Sequence, residues 1–293
     1  MTGARDLGST KDVPEVTFTK YHGLQNDFIV VDARERRLTP AAAARLCHRR
    51  RGIGADGILS LGPPAHAEAA LSMHVLNADG STAEMCGNGL RCVVRHHLDA
   101  TGSLQVGVST GAGLMRGWRD GEDIGVTLGS ATLIEDGIVV DGLPVGTGVS
   151  MGNPHLVLPL IPEHESVLEH ARRRGPQLER HPSFPQRVNV SFPQRLSDNE
   201  VRLVVFERGS GITDACGTGA GACVSALARR GLVDATRAVQ VHLPGGPLKV
   251  ELHGDPKRAQ SAGEALADVR IIGEAVRVFE GRVEVAQDEL QPV

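Results

Sequence analysis

The sequence carries one pattern twice. Cys86-Gly87-Asn88-Gly89 and Cys216-Gly217-Thr218-Gly219 are the same Cys-Gly-x-Gly motif opening a helical run, 130 residues apart (216 − 86). Asn26-Asp27-Phe28-Ile29-Val30 has a counterpart in Asn153-Pro154-His155-Leu156-Val157, 127 residues further on (153 − 26). Each cysteine also lies nine residues after the start of a polar, Gly-containing approach (86 − 77 and 216 − 207). That approach is Asn77-Ala78-Asp79-Gly80 in one half and Glu207-Arg208-Gly209-Ser210 in the other. Spaced matches at nearly one offset point to two similar structural units. A chain of 293 residues has room for two domains of about 150 residues each.

Both halves read as α/β. Phe28 to Val31, Val201 to Phe206 and Val239 to Leu243 are rich in β-branched residues and predict strands. Pro244-Gly245-Gly246-Pro247 predicts a turn into a strand over Leu248 to Leu252. After Gly89, Leu90, Val93, Val94 and Leu98 fall at helical spacing. Ala220 to Ala228 is apolar nearly all round, as a buried central helix would be, with Arg229 and Arg230 in its last turn and Gly231 as its stop. Strands and helices do not alternate as a clean βαβ series, so a Rossmann sheet is not expected.

Charge and composition narrow the function. A net charge of −4, with both signs interspersed, offers no footprint for nucleic acid or an anionic membrane. No apolar run approaches the ~20 residues needed to span a bilayer. The first fourteen residues are polar, lack the apolar stretch of a secretory signal, and read as a loose leader. The expected compartment is therefore the cytoplasm, where the five cysteines are expected as free thiols. Their spacing contains no Cys-x-x-Cys pair, so no zinc site is expected. No Gly-x-x-x-x-Gly-Lys-Ser/Thr loop occurs, and the chain has only four lysines, which argues against nucleotide binding.

The position of Cys86 and Cys216 is chemically pointed. Glycines let backbone approach a ligand closely, and the first N–H groups of a helix lack intrahelical partners and favour anions. Such an end is expected to lower a thiol's pKa and to hold a carboxylate. With the two halves packed as pseudo-symmetric units, two helix ends can face each other across one cleft, with a thiol on each side of one carbon. Inverting a stereocentre by proton transfer needs that arrangement: a base on one face and an acid on the other. Cys47, Cys92 and Cys223 lie within expected helices away from the glycine turns and read as buried small residues. The competing reading from a different class is a non-catalytic thiol- or metal-binding protein, which stoichiometric metal would reveal.

These residues make the chain resemble the diaminopimelate epimerase family along nearly its whole length. The resemblance rests on HGLQNDFIVVD (His22 to Asp32), RRGIGAD (Arg50 to Asp56), NADGSTAEMCGNGLRC (Asn77 to Cys92), MGNPH (Met151 to His155), RVN (Arg187 to Asn189) and ERGSGITDACGTGAGAC (Glu207 to Cys223). It implies two pseudo-symmetric α/β (α+β) domains, each a curled mixed sheet around a central helix. They span 15–130 and 131–273, with a last strand over 274–285 returning to the first. It further implies cofactor-independent conversion of LL-diaminopimelate to the meso form on the route to lysine and peptidoglycan, and a homodimer. Carried over, Cys86 and Cys216 are the acid/base pair, and His155 and Glu207 tune them. Gly87, Asn88, Gly217 and Thr218 present donors to the reacting end. Asn26, Asn77, Asn153, Asn189, Glu207 and Arg208 bind the ammonium and carboxylate groups. Two positions depart from the pattern: Gly57, where Gln is common, and Gln25, where Gly is common. The nearest alternative is an epimerase of the same fold acting on another amino acid, such as a proline derivative.

Overall fold

Each half begins with a β-hairpin. The computed structural model describes residues 14–141 and 143–292, so the leader, Pro14 apart, lies outside the described residues. Glu15–Gly23 pairs antiparallel with Asn26–Asp32, Phe18 opposite Val31 and Gly23 opposite Asn26. In the second half Leu143–Ser150 pairs with Pro154–Val157, Ser150 opposite Pro154. Leu24 and Gln25 connect the first hairpin, both left-handed at φ 54° and 66°. A two-residue loop of this kind matches the twist of the flanking strands, but it strains any residue with a Cβ.

From these hairpins the pairing order repeats. Asn26–Asp32 lies parallel to Gly57–Gly62, and Pro154–Val157 lies parallel to Asn189–Ser197. Gly57–Gly62 then pairs antiparallel with Leu71–Asn77, as Asn189–Ser197 does with Glu200–Glu207. A further parallel step joins Leu71–Asn77 to Gln105–Thr110, and Glu200–Glu207 to Val239–Leu243. Hairpins to Gly113–Asp120 and Gly246–His253 complete the two series.

The halves are tied by exchanged strands. Asp123–Val140 pairs at its start with Gly113–Asp120 and at its end with Leu143–Ser150. In between it lies antiparallel to Ala265–Gly273, Val126 opposite Ile271. The chain then returns as Val276–Glu284 to pair with Glu15–Gly23. Each half thus receives its outermost strand across the same central pair, and one ladder of 17 strands runs through the molecule.

Four α-helices are present among the described residues: α1 (Pro40–Cys47), α2 (Gly87–Thr101), α3 (Val167–Glu179) and α4 (Gly217–Arg229). In α2, Leu90, Cys92, Val93, Val94 and Leu98 are buried inside the first sheet. In α4, every residue from Gly219 to Ala228 is buried, as an all-apolar helix enclosed by a curled sheet must be. α2 stops at Gly102, left-handed at φ 72°. α3 packs outside the second sheet, where Val167, Ala171 and Leu178 join Val190, Phe192 and Val204 in a separate core. The mixed α/β architecture around central helices is the expected one. No described helix is long and apolar enough to cross a membrane.

Gln25 is exposed on its strained turn. Replacing it with glycine relieves the left-handed strain, at some cost in chain entropy, and should raise unfolding free energy by about 0.5–1 kcal/mol. Urea unfolding of Gln25→Gly measures this; unchanged or lower stability would mean the turn is not strained.

Candidate active site

α2 and α4 meet N-terminus to N-terminus. A Cβ added to Gly87 would lie 3.9 Å from the Gly217 Cα, and one added to Gly217 would lie 3.8 Å from the Gly87 Cα. The same two positions would press on Ile271 Cδ1 at 3.1 and 3.0 Å, and both touch Leu128. Leu128 and Ile271 belong to the two strands paired across the centre of the molecule. A side chain at either position would be crowded first by Ile271, and would meet the backbone of the other helix at ordinary contact distance.

Each cysteine caps the helix that follows it. Cys86 has extended backbone (φ −141°) and its Sγ accepts from the Gly89 N–H at 3.4 Å. Cys216 (φ −128°) does the same with Gly219 at 3.3 Å, and the Thr218 hydroxyl lies 3.6 Å from its sulfur. The thiols are therefore fixed at the anion-favouring ends of two facing helices.

The expected lowering of their pKa is not observed. Burial pushes both thiols up, Cys216 well above its ordinary range. The capping N–H groups oppose that shift, as do Arg91 at Cys86 and Thr218 at Cys216, while the Glu207 carboxylate adds to it at both. Desolvation outweighs the donors at both sulfurs, Cys216 buried and Cys86 half-buried. Burial likewise raises the Glu207 carboxyl, against hydrogen bonds from Thr213 and Cys216. His155, fully buried, is pulled down to about 3 by burial and by Arg208, and its Nε2 lies 3.0 Å from Asn153 Oδ1. It is a neutral imidazole at any physiological pH.

The amides form two groups. On the first side, Asp56 accepts from Asn26 Nδ2 at 2.8 Å, and Asn26 Oδ1 accepts from Asn88 Nδ2 at 3.2 Å. Asn88 Nδ2 also donates to the Ala215 carbonyl at 3.1 Å, and Asn88 Oδ1 accepts from Arg91 at 3.1 Å. The Asn88 side chain is thus engaged at both ends, stitching α2 to the residue before Cys216. What Asn88 retains for a ligand is its backbone N–H. Asn77 donates to Ser81 Oγ at 2.9 Å and is half-buried. On the second side, Asn189 donates to the Pro154 carbonyl at 3.0 Å and accepts from the Arg208 N–H at 2.9 Å, which fixes the turn bearing Glu207 and Arg208. That turn is also held by Glu179, 1% exposed at the end of α3, which accepts from the Gly209 N–H at 3.2 Å.

At Gly57 an added Cβ would lie 2.7 Å from the Leu76 carbonyl oxygen, so this backbone leaves no room for Gln. Arg91, Asp56, Thr213 and Glu179 were not singled out from the sequence, though each holds a residue that was. Cys47, Cys92 and Cys223 are buried, and burial pushes their thiols up to about 11, 12 and 12. Among the described residues no three His, Cys, Asp or Glu side chains gather as a metal would require.

The fold is shared with solved structures of distant sequence. A hydroxyproline epimerase from Agrobacterium vitis, solved with trans-4-hydroxy-L-proline bound, superposes with a TM-score of 0.71 at 18% identity, covering 93% of each chain. A phenazine biosynthesis protein from Bacillus anthracis gives 0.67 at 17% identity, covering 93% of this chain and all of that one. The two facing halves thus define a fold used by amino-acid epimerases among others. Sequence then narrows it: the diaminopimelate epimerase family model matches residues 18–134 and 147–267. Diaminopimelate epimerases from Rhodospirillum centenum and a Synechococcus strain are each 42% identical, over 81% and 86% of this chain and 86% and 95% of theirs. The chain belongs to the diaminopimelate epimerase family, whose members are amino-acid isomerases.

Two outcomes follow from this geometry. Asn88→Leu should lower unfolding free energy by roughly 2–4 kcal/mol, because buried Arg91 and the Ala215 carbonyl lose their partner; a urea-measured change under about 1 kcal/mol would contradict the assigned bonds. For His155, the folded pKa of about 3 lies below the ordinary histidine value of 6.5, so the unfolded chain binds the extra proton. Stability is then full above the unfolded value and is lost as pH falls from there toward 3. NMR should show no titration of the His155 ring between about pH 5 and 8, identified by comparison with His155→Gln.

Proposed function

We propose that this protein converts LL-diaminopimelate to the meso form by two-base proton transfer between a thiolate and a thiol, without a cofactor. The observation that carries the reading is the pair of cysteine-capped helices meeting at Gly87 and Gly217. It is supported by relatives named for that activity at 42% identity.

One thiolate takes the Cα proton from one face and becomes a thiol, leaving a carbanion. The opposite thiol then gives its proton to the other face and becomes the thiolate. Protons and charge balance, and the two sulfurs exchange roles. The backbone N–H groups of Gly87, Asn88, Gly217 and Thr218 sit where the carboxylate of the reacting centre gathers charge, and stabilise it there. Asn26, Asn77, Asn153 and Asn189 serve the ammonium and carboxylate groups. Arg208, exposed beside Glu207, grips the far carboxylate and Glu207 the far ammonium. Glu207 and neutral His155 also tune the thiols. An acyclic substrate charged at both ends fits this set better than a proline derivative.

The two jaws of the cleft are residues 15–130 with 274–285, and residues 131–273. The reading includes a place in lysine and peptidoglycan precursor synthesis, a cytoplasmic location and a homodimer. Val276–Glu284 pairs only with Glu15–Gly23 among the described residues, and Val276, Val278 and Phe279 are exposed on it, which supports a second copy at that edge.

Cys86→Ala and Cys216→Ala should each reduce turnover of LL-diaminopimelate by at least ~10²-fold, and Cys47→Ala should do little. In deuterium oxide the product should carry deuterium at the inverted carbon. Near-normal turnover in either of the first two variants would sink the two-thiol reading.

A further inference from the structure

The two helix ends are alike in backbone and unlike in charge. Nine residues before Cys216 stands Glu207, and the matching residue before Cys86 is the neutral Asn77. Five residues after Cys86 stands Arg91, and the matching residue after Cys216 is Gly221. A Cβ at Gly221 would already lie 2.8 Å from Val269 Cγ1, so nothing like arginine fits there.

Arg91 occupies an expensive position. Its side chain is fully buried, in the second turn of a helix whose positive end is next to it, where the dipole disfavours a cation. Its Nε donates to the Glu274 carbonyl at 3.2 Å and its Nη2 to Asn88 Oδ1 at 3.1 Å, while Nη1 is buried with no partner. Among the described residues no carboxylate pairs with it. The backbone crowds it at one point: a Cβ at Gly23 would lie 3.2 Å from Nη2. A buried guanidinium that bonds neutral groups and has no counter-ion favours an anion nearby.

We propose that Arg91 is a further electrostatic positioning residue of this site, the buried cation that breaks the symmetry of the repeat and places the resting negative charge on Cys86 rather than Cys216. The inference rests on the two-thiol reading. The charged groups around Cys86 are Arg91, which favours its thiolate, and Glu207, which opposes it. At Cys216 the charged group is Glu207, which opposes its thiolate. Arg91 itself faces Cys86, Cys92, Glu274 and Asp123. Arg91 also holds Asn88, so it sets geometry and potential at the same helix end.

Thiolate ultraviolet absorbance tests this without using turnover, so it can fail while the epimerase reading stands, and the reverse. Cys216→Ala reports Cys86 and Cys86→Ala reports Cys216. Burial pushes the other three cysteines and the single tyrosine up to between about 11 and 12, and the double variant Cys86→Ala/Cys216→Ala supplies their absorbance as the background to subtract. The Cys86 midpoint should lie below that of Cys216 by at least about one pH unit, a tenfold difference in thiolate population. In the Cys216→Ala background, Arg91→Met should raise the Cys86 midpoint by about one unit or more, and Arg91→Lys should restore most of it. Equal midpoints, a lower one for Cys216, or an Arg91→Met protein that is folded and unshifted would overturn the proposal. If Arg91→Met does not fold, the order of the two midpoints decides.

Discussion

Two helix N-termini pressed together at Gly87 and Gly217 are the constraint on which everything else in this molecule depends. Isolated, each end carries unpaired N–H groups and partial positive charge, and bringing two such ends together is unfavourable. The fold enforces it through the central strand pair, where Leu128 and Ile271 bracket both glycines, and through the reciprocal exchange of outer strands. The Asn88 bond to the Ala215 carbonyl then locks one helix end to the approach of the other. What results is a concentration of backbone donors with a cysteine capping each of the two helices.

Burial sets the direction in which the groups of this site are shifted. Burial raises both thiols and Glu207 and lowers His155, all toward the neutral forms, against the pull of the helix caps. A low-polarity site makes each fixed donor count for more. It also makes a single buried cation decisive, since Arg91 acts with little solvent to screen it. In the proposed mechanism the repeated backbone supplies interchangeable acid and base, and the unlike charges at Arg91 and Glu207 are what would make the two sulfurs unequal at rest.

Much of this was legible in the residues. The repeated Cys-Gly-x-Gly motif located both helix ends, and the apolar run from Ala220 to Ala228 revealed α4 as a buried helix. Strands at Glu200–Glu207 and Val239–Leu243 follow their β-branched runs closely. α3 is hidden because Gly175 and Pro176 interrupt it, while the Ser166 cap and packing on Phe192 and Val204 sustain it. The direction of the cysteine shifts could not be read, because a helix cap is visible in sequence and the depth of burial is not. Arg91 was visible as a residue but not as a buried charge. Its partners, Asn88 and the Glu274 carbonyl 183 residues away, are visible only in the fold.

A crystal structure with LL-diaminopimelate bound tests the central claim most directly. One Cα should lie between the sulfurs of Cys86 and Cys216, with its carboxylate on the N–H groups of the two helix ends and the far end of the ligand at Glu207 and Arg208. A ligand bound with both sulfurs on one side of that carbon, or away from the two helix ends altogether, would contradict it.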